Sequence, residues 1–79
     1  MPTDNIAPEL LSRIKLRQLR LLIAVAEQGN ILAAARQMGL TQPAVTKSLK
    51  DLEQDLGLEL FKRSNRGVQP TIYGETLLR

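Results

Sequence analysis

Val45, Leu49, Leu52 and Leu56 follow one another at intervals of four, three and four, which lays one apolar stripe along a helix. Thr41 stands ahead of the stripe as a good N-cap, since its hydroxyl can accept from free backbone N–H groups of the first turn. Pro43 falls in that turn, where a missing N–H costs nothing. The opposite side carries Pro43, Lys47, Lys50 and Gln54, with Gln42 and Thr46 near the exposed N-terminal end. Donors and cations therefore collect on the free face of the first two turns. Asp51, Glu53 and Asp55 come later, where they are expected to sit away from an anionic partner met N-terminus first. Gly57 ends the helix.

Leu16, Leu19, Leu22, Ile23 and Ala26 predict an earlier helix, stopped by Gly29. Asn30 then caps a second one, Ile31 to Met38, whose Ala33-Ala34-Ala35 run has high helix propensity and lets a neighbour approach closely. Gly39 closes it, and Leu40 is expected to plug the corner below. Two helices joined by so short a turn containing Gly carry the helix-turn-helix signature. Beyond Gly57, Leu58, Leu60 and Phe61 precede a basic stretch, Lys62 to Gly67, followed by Val68 to Pro70. This predicts two short strands with a basic tip, a wing. Thr71 caps a fourth helix from Ile72, expected to continue past Arg79 in a longer protein. The fold class is mainly α: a winged helix-turn-helix with a three-helix core, a two-stranded wing and the start of a further helix. Residues 1–15 form an N-terminal arm, in which Pro8-Glu9-Leu10-Leu11 can open a short turn.

Composition narrows the function classes. Seventy-nine residues at 43% hydrophobic content support one small, marginal core. The chain has no cysteine and no histidine, which removes disulfides, zinc fingers and the Ser-His and Cys-His nucleophile pairs. Ser12, Ser48 and Ser64 thus lack a histidine partner, no acid cluster has metal-site spacing, and neither an enzyme nor a cofactor site is expected. Phe61 and Tyr73 are the only aromatics, too few for a single-strand stacking platform. The formal charge is +3, but Lys62, Arg63 and Arg66 cluster while acids concentrate from Asp51 to Glu59. Such a local basic patch says more about nucleic-acid binding than the sum does. The longest apolar run, Leu21 to Ala26, is too short to span a bilayer, no signal-peptide pattern is present, and the expected compartment is the cytoplasm.

The segments Leu16-Arg17-Gln18-Leu19, Ala33-Ala34-Ala35, Thr41-Gln42-Pro43-Ala44-Val45-Thr46, Leu52-Glu53, Leu56-Gly57, Leu60-Phe61-Lys62-Arg63 and Thr71 before Gly74 stand in one order and spacing. Together they resemble the N-terminal winged helix-turn-helix domain of LysR-type transcriptional regulators, over roughly Leu16 to Arg79. Asn30-Ile31 stands where that family often has Ser-Phe, which loses an aromatic plug but keeps the cap. Thr41 and Thr46 stand where it often has Ser, and the arm is longer than the usual start.

The resemblance implies a bacterial regulator that binds an imperfect inverted repeat of double-stranded DNA as a homodimer or higher oligomer. It implies residues 16–71 as the DNA-binding domain, and residues 72–79 as the start of a truncated linker helix that pairs protomers. It further implies a C-terminal domain sensing a small effector, RNA polymerase as a further partner, and work at the nucleoid. The recognition helix, about 42–56, would enter the major groove, and the wing, about 60–70, would face the minor groove.

Gln42, Pro43, Ala44, Thr46 and Lys47 match the family positions that meet the major groove. Gln can reach adenine N6 and N7, Lys guanine O6 and N7, and Ala44 a thymine methyl. Thr46 can instead bond back to a helix carbonyl. Lys50, one turn on, is assigned to phosphate. Arg66 suits a narrow minor groove. Arg63 is assigned to phosphate, or pairs with Glu59 or Glu53 inside the fold. Asn30 and Leu32 open the second helix, whose N-terminus can hold a phosphate, although Asn30 is first a cap. Leu49, Leu52, Leu56, Leu60 and Phe61 are expected to close the core under the recognition helix. A module used only for protein contacts, with its basic tip merely solvated, is the competing class.

Overall fold

The computed structural model describes residues 14–78, so the expected turn at Pro8-Leu11 and the terminal Arg79 lie outside the described residues. The chain forms helices α1 (Leu16–Gln28), α2 (Ile31–Met38) and α3 (Gln42–Leu56), strands β1 (Phe61–Ser64) and β2 (Gly67–Pro70), and helix α4 (Ile72–Leu78). The expected caps set these boundaries. Asn30 Oδ1 accepts from the Ala33 N–H at 2.9 Å, and Thr41 Oγ1 from the Ala44 N–H at 3.2 Å. At the end of α2 the Leu40 N–H donates to the Ala35 carbonyl at 2.8 Å, and at the end of α3 the Leu58 N–H donates to the Glu53 carbonyl at 3.1 Å. These bonds satisfy carbonyls that a helix terminus otherwise leaves unpaired.

The core gathers Leu21, Leu22 and Val25 of α1, Ile31, Ala34 and Ala35 of α2, and Val45, Leu49, Leu52 and Leu56 of α3. Leu60, Phe61 and Val68 close it from the wing. The α3 stripe and its lid are therefore the predicted ones. The α1 stripe is the predicted one only in part, with Leu22 buried and Leu19 and Ala26 packed against the core. Leu16 is 73% exposed and Ile23 41%, whereas Leu21, Ala24 and Val25 are buried beside Leu22. Apolar residues surround α1 on more than one side, so periodicity alone does not choose the face that meets α2 and α3. Leu40 also departs from expectation. It is 42% exposed rather than plugging the corner.

β1 and β2 pair antiparallel, Phe61 with Pro70, Lys62 with Gln69, Arg63 with Val68 and Ser64 with Gly67. The strands take up most of the basic stretch, so the tip shrinks to Asn65 and Arg66. Two close backbone approaches hold the wing to the body. The Val68 N–H donates to the Gly29 carbonyl at 3.0 Å, and a Cβ on Gly67, whose φ is +106°, would overlap that carbonyl. Only glycine combines this φ with this contact. On the far side, the Thr71 N–H donates to the Leu60 carbonyl at 2.9 Å and the Thr71 hydroxyl to the Glu59 carbonyl at 2.5 Å. Gly74 is buried against the Leu60 carbonyl, where any Cβ would collide.

Candidate nucleic-acid interface

Because one side of α3 is spent on Val45, Leu49, Leu52 and Leu56, the other side is forced outward. Gln42, Pro43, Thr46, Lys47, Lys50, Asp51 and Gln54 line a single open groove along that face. Gln42, Pro43, Lys47 and Lys50 are exposed, while Ala44 and Thr46 are half-buried. The sequence-predicted face of α3 is thus continuous in space.

Two of its side chains are already engaged. Lys47 Nζ bonds Asp51 Oδ2 at 2.8 Å, one turn along the helix. The Asp51 carboxylate, through that hydrogen bond and its charge, holds the Lys47 ammonium above its ordinary pKa of 10.5. The sequence predicts Asp51 away from an anionic partner, yet it lies in the groove beside Lys47. Thr46 Oγ1 accepts a hydrogen bond from Arg63 Nη2 at 3.2 Å, which joins α3 to β1.

Arg63 therefore takes neither of the two acidic partners considered for it. Glu53 is occupied elsewhere: its Oε2 accepts from the Leu60 N–H at 2.7 Å and from the Phe61 N–H at 3.2 Å. Sequence reasoning missed this anchor, which ties the wing's entry to α3. Its one visible signal is an acid half-way along an apolar stripe. Glu53, Glu59 and Lys50 also border a cleft between α3 and β1 with Phe61, Lys62 and Arg63.

Arg66 sits in the turn at the wing tip, exposed, with its backbone N–H donating to Ser64 Oγ at 3.2 Å. Asn30 caps α2 and Leu32 is 43% exposed in its first turn, both off the α3 groove. A second cleft between α1, α2 and α3 brings Lys15, Arg17 and Arg20 together with Gln37, Ser48 and Asp51. The apolar spacing of α1 gives no sign of that gathering of cations, which packing against α2 and α3 brings about. Among the described residues no group of three His, Cys, Asp or Glu can hold a metal, and no helix is long and apolar enough to cross a membrane.

The family described as bacterial regulatory helix-turn-helix protein, lysR family, matches residues 16–75. The HTH-type transcriptional regulator ClcR of Pseudomonas putida is 54% identical over 65 residues, 82% of this chain and 22% of that protein. The small neutral protease regulatory protein of Streptomyces coelicolor is 48% identical over 63 residues, 80% of this chain and 20% of that protein. The chain thus spans about a fifth of the length of these relatives. Among solved structures, the CbnR_DBD–DNA complex superimposes with a TM-score of 0.78 at 45% identity, covering 82% of this chain and 75% of that one. The BenM_DBD/catB site 1 DNA complex gives 0.78 at 32% identity, covering 82% and 73%.

Proposed function

This chain belongs to the lysR family of bacterial regulatory helix-turn-helix proteins, and from that premise we propose that it binds double-stranded DNA with α3 in the major groove. The observation that carries this reading is the open groove on α3, where Gln42, Pro43, Thr46, Lys47 and Lys50 stand together clear of the core. The CbnR_DBD–DNA and BenM_DBD/catB site 1 DNA complexes among its structural neighbours support it.

Residues 16–71 are the DNA-binding domain, followed from residue 72 by the start of a linker helix. Gln42, Pro43, Ala44, Thr46 and Lys47 meet base edges, and Lys50 meets phosphate. Arg66, at the wing tip, enters the minor groove, where a narrow width deepens the negative potential. Arg63 works at the junction of helix and wing. Asn30 and Leu32 bring the N-terminus of α2 near a phosphate. Lys47 exchanges its bond to Asp51 for the DNA. The exchange is cheap, since a solvent-exposed pair one helical turn apart contributes little to stability.

In a protein as long as the relatives, α4 would continue and pair two protomers over an imperfect inverted repeat. A further domain would sense a small effector, and RNA polymerase would be a partner. The role is regulatory rather than enzymatic, exercised where the chromosome is, in the cytoplasm.

Fluorescence anisotropy with inverted-repeat and scrambled duplexes over a salt series tests the reading. A preference for the inverted repeat that survives added salt supports base readout, because phosphate attraction alone is sequence-blind and fades with salt. Absence of binding at low salt would overturn it in favour of a protein-contact module.

A further inference from the structure

Lys62 and Arg63 are adjacent on β1, and the pleat sends them to opposite faces. Arg63 stands opposite Val68, which is 6% exposed, and two positions after Phe61, which is 5% exposed. Directly paired residues and alternate residues share a face of the sheet. Arg63 therefore belongs to the side of the wing turned toward the core and α3, while Lys62 and its partner Gln69 belong to the outer side. The bond from Arg63 Nη2 to Thr46 Oγ1 follows from that placement.

The bond changes what Thr46 can offer. A threonine hydroxyl has one proton and two lone pairs, and a guanidinium has only donors. Arg63 takes up one lone pair of Thr46. The hydroxyl proton is not spent on the helix: Thr76 donates to the Ile72 carbonyl at 2.9 Å, whereas Thr46 makes no such bond among the described residues. What the pair presents to the groove is therefore rich in donors, namely the Thr46 O–H and the remaining Arg63 N–H groups.

We infer that Thr46 and Arg63 form one reading unit, in which Arg63 is a specificity-determining residue that biases Thr46 toward donating. The unit favours a base edge that presents acceptors, guanine O6 and N7 first and thymine O4 second, over the amino edge of cytosine, which would have to meet the one remaining lone pair beside a cation. It rests on the placement of α3 in the major groove proposed above.

The test is selection by the 79-residue chain from a pool of random duplexes, sequenced for the wild type, Thr46→Val, Thr46→Ser, Arg63→Ala and the Thr46→Val/Arg63→Ala double variant. Thermal melts confirm that each is folded. Thr46→Val and Arg63→Ala should flatten the preference at the same base-pair position by about tenfold, the lower end for one good polar base contact. The double variant should flatten it no further than either single one, and Thr46→Ser should retain it. The inference is overturned if Arg63→Ala weakens binding to all duplexes alike, lowers the salt dependence by about one phosphate and leaves every base preference intact. It is equally overturned if Thr46→Val flattens a position that Arg63→Ala leaves untouched. A wild-type chain that selects no sequence at all would instead sink the proposed groove reading on which the unit depends.

Discussion

Glu53→Ala removes the acceptor that holds the wing's entry to α3. In the native chain Glu53 Oε2 alone receives both the Leu60 and the Phe61 N–H. Leu60 is 0% and Phe61 5% exposed, so both amides sit beside the core and lose their partner when the carboxylate goes. An orphaned buried donor costs roughly 1–3 kcal/mol. Glu53 is itself half-buried, so water can enter the space it leaves and recover part of that. The net loss is therefore about 2–4 kcal/mol. In a domain of this size each kcal/mol shifts Tm by roughly 4–8 °C, so the variant should melt about 8–32 °C lower. Glu53→Gln supplies the control. Its amide oxygen can take the position of Oε2 and accept both bonds, forfeiting only the gain from charge, roughly half of each bond. It should melt clearly between the other two. Thermal unfolding followed by far-ultraviolet circular dichroism reads all three. An alanine variant within about 2 °C of the wild type, well under one kcal/mol, would refute the anchoring role. A glutamine variant as unstable as alanine would show that charge, not hydrogen bonding, holds the wing.

Gly74→Ala should lower Tm even though alanine is the better helix former by about 1 kcal/mol, because its Cβ would collide with the Leu60 carbonyl; a higher melting point would show that the contact yields freely. Leu52→Ala opens a cavity under α3, where Leu52 is 1% exposed, and should cost about 2–5 kcal/mol, enough to unfold a small domain in a thermal melt. Lys47→Ala should melt with the wild type and lose duplex affinity in the anisotropy assay; a comparable loss of stability would refute the assignment of the two faces of α3. Asp51→Asn should bring the Lys47 titration, followed by NMR of its ammonium, back down toward 10.5. The raised value means that the folded state holds the Lys47 proton more tightly than the unfolded chain does. The pair's contribution is therefore complete below the ordinary lysine range and fades as pH climbs through the raised value.

The ends of the elements were legible in the chain because they are local. Asn30 and Thr41 cap the helices that follow them through bonds only three residues long, and the stripe Val45-Leu49-Leu52-Leu56 fixes the phase of α3 without reference to anything outside it. The exposed face of α3, the greater part of the candidate site, follows from that stripe by elimination.

What sequence spacing could not decide were contacts whose partners are distant along the chain. The apolar residues of α1 surround it too widely for periodicity to select a face, and packing against α2 and α3 chose Leu21, Leu22 and Val25 over Leu16 and Ile23. The partner of Arg63 depended on the register of β1 with β2, since a shift of one residue would have turned the guanidinium to the outer face. Glu53 serves the Leu60 and Phe61 amides while Arg63 bonds Thr46, a choice among acceptors made by three-dimensional proximity. Short-range caps and periodicity thus determine which segments are helix and strand, while the phase of α1, the junction of helix with wing and the partners of the charged side chains are set by tertiary packing.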